Sequence, residues 1–220
     1  LSFSQETPPT PGQPEKAPRV IPINVGLLNP NGDEIVPTMM LEMTGARQSF
    51  RFEGLAARPI PSILRGFSAP VELDRKVPAA ERAFLLAHDT DPFNKWEAGR
   101  ALAKDVMAAM VLEEAPVSAE WLDALAAVTF DAGLDPAFRA LCLKLPAEDD
   151  LAQTLHAMGK TPDPDRIHAA HRAMGLALAR RLGDGLGRLY AELNDGAAFS
   201  PSAEGAGRRA LKLAALGLLG

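Results

Sequence analysis

The sequence predicts a multi-domain fold, β then α: a small immunoglobulin-like β-sandwich over residues 1–76, followed by an α-helical superhelical or bundle array over residues 77–220. Two observations carry this reading. Apolar residues alternate with a period of two before Lys76 and recur every three or four positions after it. Turn formers punctuate the first part, whereas Asp-Pro, a helix-starting pair, occurs three times in the second.

In the first part, Leu1, Phe3 and Gln5 alternate with Ser2, Ser4 and Glu6 as a strand would. Residues 7–18 hold five prolines and a glycine, which excludes helix because proline lacks the N–H and clashes with the preceding turn. Ile21, Ile23, Val25 and Leu27 define the next strand, with Pro22 inside it as the mark of an edge or a bulge. Asn29-Pro30-Asn31-Gly32 is a turn. Further strands are expected over residues 39–44, 48–53, 60–67 and 71–75, making about six or seven short strands in all.

In the second part, helices are expected over residues 79–89, 92–113, 119–132, 136–144, 148–158, 164–194 and 201–219. Asp91, Asp135 and Asp163 each precede a proline, so the carboxylate can cap and the proline loses no hydrogen bond at the first helical position. Ser118 and Ser200 are further caps, and Gly133 and Gly159 are C-terminal stops. Ile167, Met174, Leu178, Leu182, Leu189 and Leu193 form one apolar stripe on the longest helix, while Gly183, Gly185 and Gly187 either admit a close neighbour or break it. No fixed repeat period is present. The last helix is apolar on nearly every side, and the chain has no initiating Met. Both lead to the expectation of a segment cut from a longer polypeptide, with more helices packed on the final one.

Composition narrows the function classes. A net charge of -5 and a pI of about 5.4 give no field to attract phosphate backbones, so no nucleic-acid partner is expected. No run approaches the ~20 apolar residues of a membrane span, and no signal peptide is visible, so neither a membrane partner nor export is expected. Cys142, the single cysteine, excludes an internal disulfide and reads as a core residue. The Arg180-Arg181 and Arg208-Arg209 pairs read as solvated helix faces.

Searching for chemistry yields no catalytic, cofactor-binding or metal-binding residue. His168 and His171 are three apart with Ala-Ala between them, whereas a zinc-peptidase helix needs histidines four apart and an acid between. His88 and His156 lie apart from them in sequence, and a small zinc hydrolase built on His168 and His171 is the weakest of the readings. Gly183-Asp184-Gly185-Leu186-Gly187 follows a helical run and lacks a phosphate-loop lysine. Glu113-Glu114 and Asp149-Asp150 read as solvated helix ends, and Trp96, Trp121, Phe93, Phe130 and Phe138 as core anchors of the helical half.

Four linear stretches carry a resemblance. They are Q-E-T-P-P-T-P-G-Q at residues 5–13, Q-S-F-R-F-E-G-L at 48–55, R-P-I-P-S-I-L-R-G-F-S-A-P-V-E-L at 58–73 and F-L-L-A-H-D-T-D-P-F-N-K-W-E-A-G at 84–99. In order and spacing they resemble the β-sandwich domain and the opening of the helical domain of bacterial aminopeptidase N. That resemblance implies a cytoplasmic zinc exopeptidase whose catalytic domain lies upstream in the same polypeptide. The family's H-E-x-x-H and G-[AG]-M-E-N motifs are both absent here, and Gly45-Ala46-Arg47-Gln48 departs from the second. It therefore implies zinc and peptide substrates for the parent enzyme, neither of them held by this segment. The segment's expected role is to space and cover the active site and restrict substrate access. The alternative is a stand-alone β-sandwich and helical-repeat scaffold for protein–protein interaction.

Overall fold

The computed structural model describes every residue except Asp195 and Ala197. Two compact units emerge. One holds Leu1–Lys76 together with His88–Asn94, and the other holds Val77–Ala87 with Lys95–Gly220. The units therefore differ from a simple cut at Lys76, because a seven-residue stretch further along belongs to the first.

Five strands form among the described residues of the first unit: β1 (Ser2–Ser4), β2 (Ile21–Leu28), β3 (Glu34–Met43), β4 (Arg47–Ser49) and β5 (Ile60–Ile63). They make two antiparallel sheets, β1-β4 and β3-β2-β5. Ile23, Val25, Leu27, Leu41, Met43 and Leu64 form the core, against which Phe3 and Phe50 pack. The two rings meet edge to face, 6.1 Å between centroids. The proline-rich loop is closed by Gln5, whose side chain donates to Arg19 O and Gly45 O and accepts from Arg19 N–H.

Pro22 lies in regular register opposite Glu42 of β3, in the part of the central strand β2 that β5 does not reach. Asn24 N–H donates to Ser68 Oγ, away from β3, so Pro22, two residues earlier, also turns its nitrogen to a side where no strand pairs with it. The bulge in β2 lies further on, between Val25 and Leu27, and not at the proline. The Asn29–Gly32 turn forms as expected, with Gly32 at φ +98° and its N–H on Asn29 O.

Other strand expectations need correction. The strand expected at 39–44 is the latter half of a longer one that starts at Glu34. The one expected over 48–53 stops at Ser49. Leu1 O accepts from Phe50 N–H at the end of the ladder, and the alternation of Phe50 and Phe52 continues as irregular chain packed on the core. The one expected over 60–67 ends at Ile63 and turns into a short 3-10 segment, Arg65–Phe67. Residues 71–75 form no strand, because alternation supplies no backbone partner; Val71 and Leu73 stay exposed.

The helices follow the sequence closely: α1 (Ala79–His88), α2 (Pro92–Glu113), α3 (Ala119–Phe130), α4 (Pro136–Cys142), α5 (Glu148–Ala157), α6 (Pro164–Leu193) and α7 (Ala203–Leu219). Ser118, Asp135 and Asp163 cap α3, α4 and α6 through their side-chain oxygens. Gly159, at φ +71°, closes α5, with Lys160 N–H reaching back to Leu155 O. Two boundary residues differ. Ser202 caps α7, with Ser200 hydrogen bonded to it, and α3 ends at Asp131, whose backbone turns extended two residues before Gly133. In the second unit, Leu102, Met107, Trp121, Leu151, Met174 and Leu178 are central to the core.

The glycines of α6 serve both purposes the sequence allowed. Gly183 breaks the helix at φ 25° and ψ -111°. Gly185 receives the Phe130 ring so closely that a Cβ there would lie 2.3 Å from Cζ. Gly207 of α7 brings that helix against Ala137 of α4 in the same way.

Candidate functional site

The histidines considered as ligands are dispersed. His88, His156 and His168 are exposed and His171 is half-buried. His168 Nδ1 lies 2.8 Å from Glu148 Oε1, an exposed pair. No group of three or more His, Cys, Asp or Glu side chains among the described residues is arranged to hold a metal ion. The donor set among the described residues therefore does not fit zinc. Burial pushes the Cys142 thiol up to about 11, which leaves it protonated at neutral pH.

Among the aromatic residues, Trp121 is buried, Trp96 and Phe138 are half-buried, and Phe130 is 42% exposed on Gly185, so only part of the set anchors the core. Phe93 belongs to the first unit, where it packs on Phe67 at 5.5 Å between centroids. Asp150 is also more than a solvated helix end, since it pairs with Arg100 and, at 3.1 Å, with Lys104.

Two features were not legible beforehand. The first is a buried guanidinium in the first unit. Leu64 (φ 63°) and Gly66 (φ 62°) are left-handed, a geometry disfavoured for leucine by roughly 1–2 kcal/mol, and together they turn Arg65 inward. Only 1% of Arg65 is exposed, and its guanidinium lies flat on β2 at Gly26, where a Cβ would stand 2.1 Å from Cζ. Nε donates to Ser62 Oγ at 2.9 Å, Nη2 to Asp89 Oδ1 at 2.9 Å, and Nη1 to Thr38 Oγ1 and to Glu34. Around this centre, Thr90 Oγ1 donates to Glu34, Gly66 N–H to Asp91 Oδ2, and Asn94 Nδ2 to both Ser62 Oγ and Ile63 O. Asp91 also accepts from Asn94 N–H, which caps α2.

The electrostatics of the pair are unequal. Hydrogen bonds from Arg65 and then Thr90 hold the Glu34 carboxyl below its ordinary value. Burial pushes Asp89 above its own, although the Ser62 hydroxyl, the Asp91 N–H and the Arg65 charge pull the other way. The arrangement locks residues 88–94 onto β2, β3 and β5.

The second feature is a cavity of about 380 Å³ in the helical unit. Trp96, Trp121, Leu86 and Leu125 contribute to its walls, with Lys144 and Asp149 also lining it. Gly99 keeps it open beside Leu86, where a Cβ would meet Cδ1 at 2.8 Å.

Residues 79–220 match the family described as a domain of unknown function (DUF3458_C) with ARM repeats, and residues 1–76 match its counterpart (DUF3458) with an Ig-like fold. Aminopeptidase N of Caulobacter vibrioides is 40% identical over 86% of this chain, and aminopeptidase N of Escherichia coli is 32% identical over 86%. That of Haemophilus influenzae is 34% identical over 89%. The chain spans about a quarter of the length of these relatives, 22%, 23% and 24% respectively. The crystal structure of Legionella pneumophila aminopeptidase A in complex with aspartic acid superposes on 91% of the chain and 24% of that protein, with a TM-score of 0.79 and 26% identity. An Ig-like unit followed by ARM-repeat helices, with homology to one part of aminopeptidase N across both, shows that this chain belongs to the DUF3458_C family.

Proposed function

We propose that this chain is a non-catalytic accessory segment of a cytoplasmic, zinc-dependent aminopeptidase N that removes N-terminal amino acids from peptides. Residues 1–76 act as a β-sandwich domain that spaces the catalytic domain of the same polypeptide, and residues 77–220 act as the first part of a helical domain that restricts access to it. The observation that carries this reading is the match of both units, in order, to about a quarter of each aminopeptidase relative. The dispersed histidines and the protonated Cys142 are compatible with the same reading. Walls of this kind work by excluding water and bulky substrates from chemistry performed elsewhere.

The test is an assay of the purified chain on aminoacyl-p-nitroanilides with and without added zinc, beside the polypeptide extended upstream in its own gene. Hydrolysis only by the extended polypeptide is expected. Turnover by the 220-residue chain itself, abolished by a chelator, would overturn the proposal.

A further inference from the structure

The cavity of the helical unit has a charge pattern that the accessory role does not use. Trp96, Trp121, Leu86 and Leu125 form an apolar, aromatic part of its wall, and charged side chains and Gln153 form much of the rest. Lys144 and Asp149, both exposed, line it as well, and neither side chain makes an ion pair or hydrogen bond among the described residues. The neighbouring charges are satisfied: Arg100 pairs with Asp150 and lies 5.6 Å from the centre of the Trp96 ring, and Lys104 also pairs with Asp150. A single uncommitted cation would select an anion, and a single uncommitted carboxylate a cation. One of each beside the aromatic part of the wall matches a zwitterion that carries an apolar side chain. At about 380 Å³ the chamber lies at the small end of the roughly 300–1,000 Å³ range of ligand sites, which suits a molecule the size of one amino acid.

We infer that this cavity binds a free α-amino acid with a branched or aromatic apolar side chain. The ammonium pairs with Asp149, the carboxylate with Lys144, and the side chain lies against the indoles and leucines. The site stands on its own geometry, independent of the accessory role proposed above.

The chain carries its own reporter, because Trp96 and Trp121 are its only two tryptophans and both line the cavity. Tryptophan emission of the 220-residue chain is titrated with L-leucine and, separately, with N-acetyl-L-leucinamide, which keeps the side chain and lacks both charges. A saturable change with L-leucine, at a Kd of about 1 mM, and none with the amide is expected. Lys144→Ala and Asp149→Asn are each expected to weaken binding about tenfold. Both side chains are exposed, so both variants keep the fold, which their thermal melts verify. Absence of a saturable response, an equal response to the neutral amide, or unchanged affinity in the two variants would each overturn the inference.

Discussion

Replacing Arg65 by methionine tests the central claim about the first unit. The arginine side chain is 2% exposed and that of Asp89 is 0% exposed, so water cannot take over the lost contacts. Methionine fills much of the space but leaves the Asp89 and Glu34 carboxylates and the Ser62 and Thr38 hydroxyls without their shared donor. Breaking a buried ion pair by removing one partner costs roughly 3–5 kcal/mol, because a charge stays buried without compensation. For a unit of about 80 residues, each 1 kcal/mol lowers Tm by roughly 4–8 °C, so a fall of at least ~12 °C is expected. Two units need not unfold together, so the measurement is hydrogen exchange read on peptides from β2 and β5, with calorimetry beside it. Arg65→Met combined with Asp89→Leu should recover part of the loss, since removing both charges spares the uncompensated one. A single-variant cost below about 1 kcal/mol, or losses that simply add in the double variant, would refute the assignment of Arg65 as the unit's electrostatic centre.

Three other outcomes follow from the same geometry. Gly26→Ala should destabilise the first unit by about 1–3 kcal/mol in a denaturant melt, because its Cβ would overlap the guanidinium carbon of Arg65; a neutral result would refute the close approach. Glu34→Gln should make stability less pH-dependent in acid. The native carboxylate is held below the ordinary value of about 4.3, so its contribution is present above that pH and is lost as pH falls through the lowered native value. The gap between wild type and variant in urea melts should therefore close as the pH is lowered from 7 towards 3, and a gap that widens in acid would contradict the sign. Cys142, raised to about 11 from 9.0, should react with iodoacetamide at pH 8 about a hundredfold more slowly in the native chain than in urea; equal rates would show an accessible thiolate.

The helical half was readable because its boundaries are written locally. Asp135-Pro136 and Asp163-Pro164 each place a cap and a fixed φ in adjacent residues, and the structure starts α4 and α6 there. Ser200-Pro201 has the same chemistry but lost to Ser202, whose hydroxyl receives Gly205 N–H one step further on. Strands were harder to read because alternation shows which residues face inward and says nothing about a partner. Phe50 and Phe52 face the core without a ladder for that reason. The Arg65 centre was invisible, since its partners Glu34 and Asp89 lie 31 and 24 residues away. One signal was available: an arginine between an apolar strand and Gly-Phe, in a stretch that shares its resemblance with the Asp-Thr-Asp run. Lys95 gave still less warning, for it is 5% exposed and spends its ammonium on the Ala87 carbonyl.

Residues 88–94 give the β-rich unit a noncontiguous parts list. A polypeptide ending at Lys76 would keep all five strands yet lack Asp89 and Thr90, leaving Arg65 with Glu34 as its one carboxylate partner and its Nη2 without an acceptor. Grafting this Ig-like module between relatives therefore means moving two pieces of sequence, the strands and the distant heptapeptide, as a matched set.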